Sequence, residues 1–210
     1  IYSLLTFLIF IILNFGSVRL FNSLNLSMTI ISNGGFLPTN NLNQIFLKEN
    51  YTILAFVLLI PTLNIFLLFN LYDRKKIINH HQEDLFLIIF ISILSFIMFY
   101  TLENTKISEI VINIISSISN SGLTFTKSSD ETILFIFLCV VGGSLISNSS
   151  GIKFTRMYIL IKTAFAEILK LVRPNNVFNN TIFYSDRKID NQVVNLSFLI
   201  FISFFISVFI

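Results

Sequence analysis

Charge is what this sequence most lacks. Asp, Glu, Lys and Arg together supply 12% of its 210 residues, where a soluble domain carries roughly 25%. So few charges cannot cover a water-facing surface, and at a mean hydropathy of +0.82 lipid is the natural solvent. Cysteine occurs once, as Cys139 within an apolar run, which excludes an internal disulfide and cysteine-ligated metals and leaves a packing residue. Glycine is scarce while Ile, Phe and Asn abound, a bias that AT-rich codons produce and one that replaces small residues. A secretory signal is also missing, because residues 1–18 have neither a basic start nor a small-residue cleavage site. The chain lacks an initiator Met and stops inside an apolar run, so it reads as a piece of a longer protein.

Apolar runs dominate what is present. A helix crossing hydrocarbon needs about 20 apolar residues, and the uncharged runs 1–18, 51–72, 85–102 and 192–210 come close to that. The run 132–152 starts as a span but turns small and polar halfway. Pro61 falls within the run 51–72, where neighbouring helices can re-satisfy the carbonyl freed by a kink. Two further stretches, 20–47 and 110–126, are rich in Asn, Ser and Thr yet hold no charged residue. They are too polar to cross lipid and too uncharged for a soluble loop. A re-entrant segment, a short helix and its return buried among other helices, reconciles both features. Arg74, Lys75 and Lys76 in the loop 73–84, and the seven basic residues of 153–190, place both stretches in the cytoplasm. The re-entrant segments then enter from the outside.

The chain repeats itself. Ile31-Ser32-Asn33-Gly34-Gly35-Phe36 corresponds to Ile118-Ser119-Asn120-Ser121-Gly122-Leu123, 87 residues later, with the same order of apolar and polar segments around each copy. Self-similarity at a fixed offset indicates one structural unit used more than once. Each short helix is expected to end at mid-membrane, where its C-terminal dipole favours a cation. Beyond the elbow, an extended backbone offers carbonyls that replace an ion's hydration shell. Gly35 and Gly122 allow the strained φ values; Asn33, Gly34, Asn120 and Ser121 would serve mainly through their carbonyls. The competing reading of each Asn-x-Gly is an ordinary surface turn, which two copies in matched, charge-free surroundings disfavour.

A third feature is "GGSLISNSSGIK", residues 142–153, which interrupts a span with glycines and hydroxyls. Broken helices survive at membrane depth where they line a cavity or are buried in protein. The stretch is similar to one in the Trk/Ktr family of potassium uptake proteins, with Gly142, Gly143, Ser147, Gly151, Ile152 and Lys153 matching without a gap. The following amphipathic segment and the elbows "ISNGGF" and "SNSGLT" also resemble that family's. Ile146 and Ser150 stand where the family has glycines, and Leu123 where it has Phe.

The resemblance implies an all-α polytopic membrane protein built from span–pore helix–filter loop–span units, potassium-channel-like and here partial. On that pattern 1–72 is the second unit, with pore helix and filter at about 18–38. A cytoplasmic loop, 73–84, leads to the third unit, 85–166, with pore helix and filter at about 107–126 and the broken span at 131–166. A cytoplasmic segment, 167–190, then precedes the first span of a fourth unit, 191–210. It further implies potassium as the transported ion, a filter with Gly35 and Gly122 at its glycine positions, and a gating loop at 142–151. Gly142, Gly143, Ser147, Asn148, Ser149, Gly151 and Lys153 belong to that gate. The implied setting is the bacterial inner membrane, with lipid around the protein. The implied partners are a second copy of the chain and a cytoplasmic nucleotide-binding regulatory subunit, with no nucleic acid.

Other residues carry less. His80 and His81 are adjacent and read as solvated loop residues rather than metal ligands. Arg19 reads as an interface anchor, and Glu109 as a carboxylate near a helix N-terminus. Lys153 has two readings, a positive-inside anchor or a latch on the gating loop. A sodium-coupled or sodium-conducting transporter is the alternative of similar build, although such folds usually repeat in inverted topology. A non-conducting subunit would not need two filters. An intramembrane enzyme would need aligned ionisable groups at membrane depth, which the spans between 51 and 152 lack; no enzymatic activity is expected.

Overall fold

The computed structural model describes residues 1–39, 42–46, 50–70, 81–101, 106–125, 132–172, 181–183 and 189–209. Among them the regular structure is helical, with no strand. Helices α1 (Tyr2–Phe15) and α2 (Leu20–Ser32) form a hairpin, followed by α3 (Tyr51–Leu59), a 3₁₀ turn at Ile60–Thr62 and the short α4 (Leu67–Asn70). The second half runs through α5 (Gln82–Thr101), α6 (Ile107–Ser119), α7 (Thr132–Val141), α8 (Phe154–Val172) and α9 (Asn191–Phe209). The basic loop residues Arg74, Lys75 and Lys76, together with His80, lie outside the described residues.

Two helices, Gln82–Thr101 and α9 through Val208, are long and apolar enough to cross a bilayer, whereas α1 and α3 are shorter. Large apolar side chains stand exposed along α1, α5, α7 and α9, among them Phe7, Phe96, Ile133 and Phe198. That surface suits hydrocarbon and not water. The core forms where α6 lies against α3, α5 and α7, with α2 held against α1. Ile112, Ile114 and Ile115 of α6 are fully buried, as are Ile9 and Leu13 of α1 and Leu26 and Ile30 of α2.

The two polar helices can be buried because their hydroxyls are satisfied locally. Ser117 Oγ donates to the Asn113 carbonyl at 2.8 Å, Ser119 Oγ to the Ser116 carbonyl at 3.1 Å and Ser27 Oγ to the Leu24 carbonyl at 2.8 Å. A serine bonded back to its own turn presents little unsatisfied polarity to its neighbours. The side-chain carbonyl of Asn113 takes the Phe125 amide at 3.0 Å, which folds the return segment back along α6.

The run 51–72, expected as one kinked span, is broken instead. α3 stops at Leu59, the 3₁₀ turn carries Pro61, and Leu63 is extended (φ −88°, ψ 166°). Proline has no amide hydrogen to continue the helix, and other backbone takes the freed carbonyls, as described below. His81 also departs from expectation. It is 2% exposed, not solvated, because its Nδ1 lies 2.9 Å from the buried Asp84 carboxylate and its Nε2 2.9 Å from Asn70 Nδ2. α8 runs unbroken across 166–167 to Val172.

If α6 is the packed centre, truncating it should be costly. Ile114→Ala in the full-length protein is expected to lose roughly 2–5 kcal/mol of stability, read as a lowered melting temperature in detergent. Ile133→Ala, at an 81% exposed position of α7, should change melting by less than about 0.5 kcal/mol equivalent.

Candidate functional site

The two polar helices are alike in length and in how they end. α2 and α6 each have 13 residues, and each stops at an asparagine in the left-handed region, Asn33 (φ 52°, ψ 36°) and Asn120 (φ 60°, ψ 29°). The next amide closes each end: Gly34 N donates to the Thr29 carbonyl and Ser121 N to the Ser116 carbonyl, both at 3.1 Å. This is the Schellman arrangement, in which an αL residue turns the chain sharply away from the helix axis. Asparagine tolerates αL better than most side chains.

Gly35 and Gly122 follow, both at φ 69°. The sign of φ therefore alternates along 33–36 and along 120–123. The two elbows also meet. A Cβ added at Gly35 would lie 3.1 Å from the Ser121 carbonyl oxygen, and one added at Gly122 would lie 3.7 Å from Gly35 Cα. Segments 87 residues apart in sequence thus approach backbone to backbone, and the φ of 69° at both positions is one that glycine adopts without strain. Among the described residues, none of the carbonyls of 33–35 and 120–122 accepts a hydrogen bond, whereas the Phe36 carbonyl is taken by Thr29 Oγ1 at 2.9 Å.

The asparagine side chains have a use that sequence reading missed. Asn33 Nδ2 donates to the Asn148 carbonyl at 3.1 Å, and Asn148 Nδ2 returns to the Ile31 carbonyl at 3.0 Å. Asn120 Nδ2 donates to the Cys139 carbonyl at 3.1 Å, near the end of α7. Each elbow is therefore fastened to the broken span. Asn148 was assigned to the loop 142–151, and the structure brings that loop against the base of the first elbow.

The loop itself is built on glycine contacts and borrowed bonds. Gly142 (φ 69°) lies against Gly151, and a Cβ on it would meet the Ser150 carbonyl oxygen at 2.3 Å. Gly143 N donates to Ser149 Oγ at 2.8 Å, Ser147 Oγ and Ser149 Oγ are 2.7 Å apart, and Ile152 N reaches the Val140 carbonyl at 3.0 Å. Lys153 (φ 84°) sends its ammonium into this turn, onto the carbonyls of Ser147 (3.1 Å) and Ser149. Across the loop, Ser144 N and Asn148 N donate to the Thr62 and Pro61 carbonyls at 2.9 and 3.2 Å, and Ile65 N donates to the Ile146 carbonyl at 3.1 Å. The Pro61 and Thr62 carbonyls, left over where the 3₁₀ turn ends, are thus satisfied by the loop.

Of the other expected residues, Arg19 precedes α2 as its N-terminal flanking residue and Glu109 lies in the first turn of α6. A residue that sequence reading passed over is Glu83, whose carboxylate accepts the Leu145 amide at 2.8 Å. Its one sequence signal was an acidic pair at the start of a long apolar run. Among the described residues no cluster of three or more His, Cys, Asp and Glu is placed to hold a metal.

No family model matches the chain. It is 24% identical, over its whole length, to an uncharacterized cation transporter of Methanocaldococcus jannaschii, of which the match covers 44%. Its fold is similar to the crystal structure of the potassium transporter TrkH from Vibrio parahaemolyticus, with a TM-score of 0.75 at 20% identity. That likeness takes in 92% of this chain and 45% of the transporter. The chain therefore has the all-helical fold of part of a polytopic membrane transporter, and it spans somewhat less than half the length of the proteins it matches.

The Asn33–Asn148 fastening predicts coupling. Asn33→Ala and Asn148→Ala, made singly and together in the full-length protein, should be non-additive in melting by about 0.5–3 kcal/mol. Strict additivity would mean that elbow and loop are independent.

Proposed function

We propose that the protein carries potassium across a membrane, through a pore whose filter takes carbonyls from the two elbows. One observation supports this reading: two identically turned elbows meet at Gly35 and Gly122, and among the described residues nothing donates to their carbonyls. Each elbow sits at the C-terminal end of a buried helix, where the dipole favours a cation. No acidic or basic residue occurs in 20–47 or 110–126 to compete for the ion or repel it. Dehydrating a cation requires several oxygens at once, and two elbows are two walls of such a ring. The remaining walls would come from the rest of a longer protein, as the partial coverage of both relatives suggests.

The loop 142–151 is the gate on this reading. It is a stretch of interrupted helix bonded to the first elbow, held by polar contacts that can be exchanged and not by a packed apolar core. Lys153 is its latch, and an ammonium bridging two loop carbonyls stiffens the turn. Potassium is preferred over sodium here because a potassium transporter shares the fold. The bacterial inner membrane, a second copy of the chain and a cytoplasmic nucleotide-binding regulatory subunit complete the proposal.

The test is growth of a potassium-uptake-deficient bacterium at low potassium, supported by the full-length protein. Gly35→Asp and Gly122→Asp should each abolish rescue, since a carboxylate would fill the elbow and bind the ion too strongly to release it. Rescue undiminished by both variants would remove the filter assignment. Sodium influx with no potassium or rubidium influx would make the pathway a sodium one.

A further inference from the structure

The apex of the loop 142–151 is not held by apolar burial, because Leu145 and Ile146 remain 44% and 46% exposed. Polar bonds must fix it, and those to its tip come from outside the loop. Glu83, in the first turn of α5, places one carboxylate oxygen 2.8 Å from the Leu145 amide and 3.3 Å from the Thr155 amide. Leu145 belongs to the loop and Thr155 to the first turn of α8. A single carboxylate thus ties the apex of the break to the helix that follows it. It also complements the positive N-terminal end of α8, and it attracts the Lys153 ammonium across the turn.

The neighbouring residue does the same for the other broken span. Asp84, 1% exposed, accepts the Asn64 amide at 2.9 Å just beyond the 3₁₀ turn, and through His81 it reaches Asn70 of α4. Two adjacent acids at the start of α5 therefore hold the two interrupted spans, which are already bonded to each other at Thr62–Ser144 and Pro61–Asn148. Burial makes Asp84 a fixed point of the fold. Glu83 is less enclosed than Asp84, so of the two acidic contacts its own is the one that can open.

We propose that Glu83 is the positioning residue of the gate: it holds the loop apex in the conformation described here, and ion flux requires release of its bond to the Leu145 amide. The proposal rests on the reading of 142–151 as a gate. A charge-assisted bond to backbone amides is strong enough to set the population of a two-state loop. A residue of purely structural importance would lower protein abundance and flux together. Loss of this anchor should instead raise flux while the filter, and with it the half-saturating ion concentration, stays as it was.

Two readouts on the full-length protein in liposomes separate the possibilities. The first is rubidium influx at varied concentration. The second is the rate at which a charged maleimide modifies Ile146→Cys in a Cys139→Ser background, which reports loop opening directly. Glu83→Ala is expected to raise maximal influx and maleimide reactivity by about tenfold each, with half-saturation unchanged. Glu83→Gln, which keeps an acceptor oxygen but loses the charge, should fall between it and the parent. Should the alanine variant fail to reach the membrane, the glutamine variant carries the same comparison. If neither readout changes, or if influx falls with altered half-saturation, Glu83 does not position the gate. Reactivity that rises without influx overturns the reading of the loop as the gate, and with it the proposal, while leaving Glu83 as an anchor.

Discussion

Backbone that leaves a helix at membrane depth must find its partners inside the protein, since hydrocarbon offers none. This chain meets that demand by breaking two spans at the same level and letting each satisfy the other. One helical run stops after Thr62 and leaves its last carbonyls over; the loop that interrupts the other supplies amides, from Ser144 and Asn148, to the Thr62 and Pro61 carbonyls. The glycines of the loop allow that approach, since a side chain at Gly143 would come within 2.5 Å of the Thr62 carbonyl oxygen. Neither break would be tolerable alone. Each unsatisfied polar group costs several kcal/mol in lipid.

The consequences run outward from this pairing. The loop, once docked on the 3₁₀ turn, presents Asn148 to the end of α2, where the Asn33 amide and the Ile31 carbonyl complete an exchange of bonds. That fixes the first elbow from behind. Asn120 and the Cys139 carbonyl fix the second in the same manner. With their asparagines committed backwards, the elbows meet through glycine at the front, where among the described residues no group donates to their carbonyls. On the proposed function, the placement of those oxygens derives from amide side chains that need not touch the ion.

Much of this was legible in the sequence, for identifiable reasons. Charge-free polar stretches between apolar runs have few physical solutions, so the short buried helices α2 and α6 and their Asn-x-Gly ends could be read directly. The same holds for the interruption at Gly142–Gly143. What was not legible depended on partners distant in sequence. The break after Leu59 looked like an ordinary proline kink, because the amides that complete it lie more than 80 residues away, at Ser144 and Asn148. His81 looked solvated because Asp84 is three residues on and its burial depends on α4. Glu83 gave no signal beyond its charge, and the asparagines pointed to carbonyl chemistry while their side chains serve as fasteners. Local patterns reveal where a chain turns. They do not reveal what waits on the other side of the turn.

The account depends on the two elbows binding a cation through backbone oxygens. The most direct measurement is a crystal structure of the full-length protein soaked in rubidium or thallium, with the anomalous signal locating the ion. The account predicts a peak between Gly35 and Gly122, coordinated by carbonyl oxygens of 33–35 and 120–122 and lost in the Gly35→Asp protein. A pathway with no peak at the elbows, or an ion held instead by side-chain oxygens elsewhere, would contradict it.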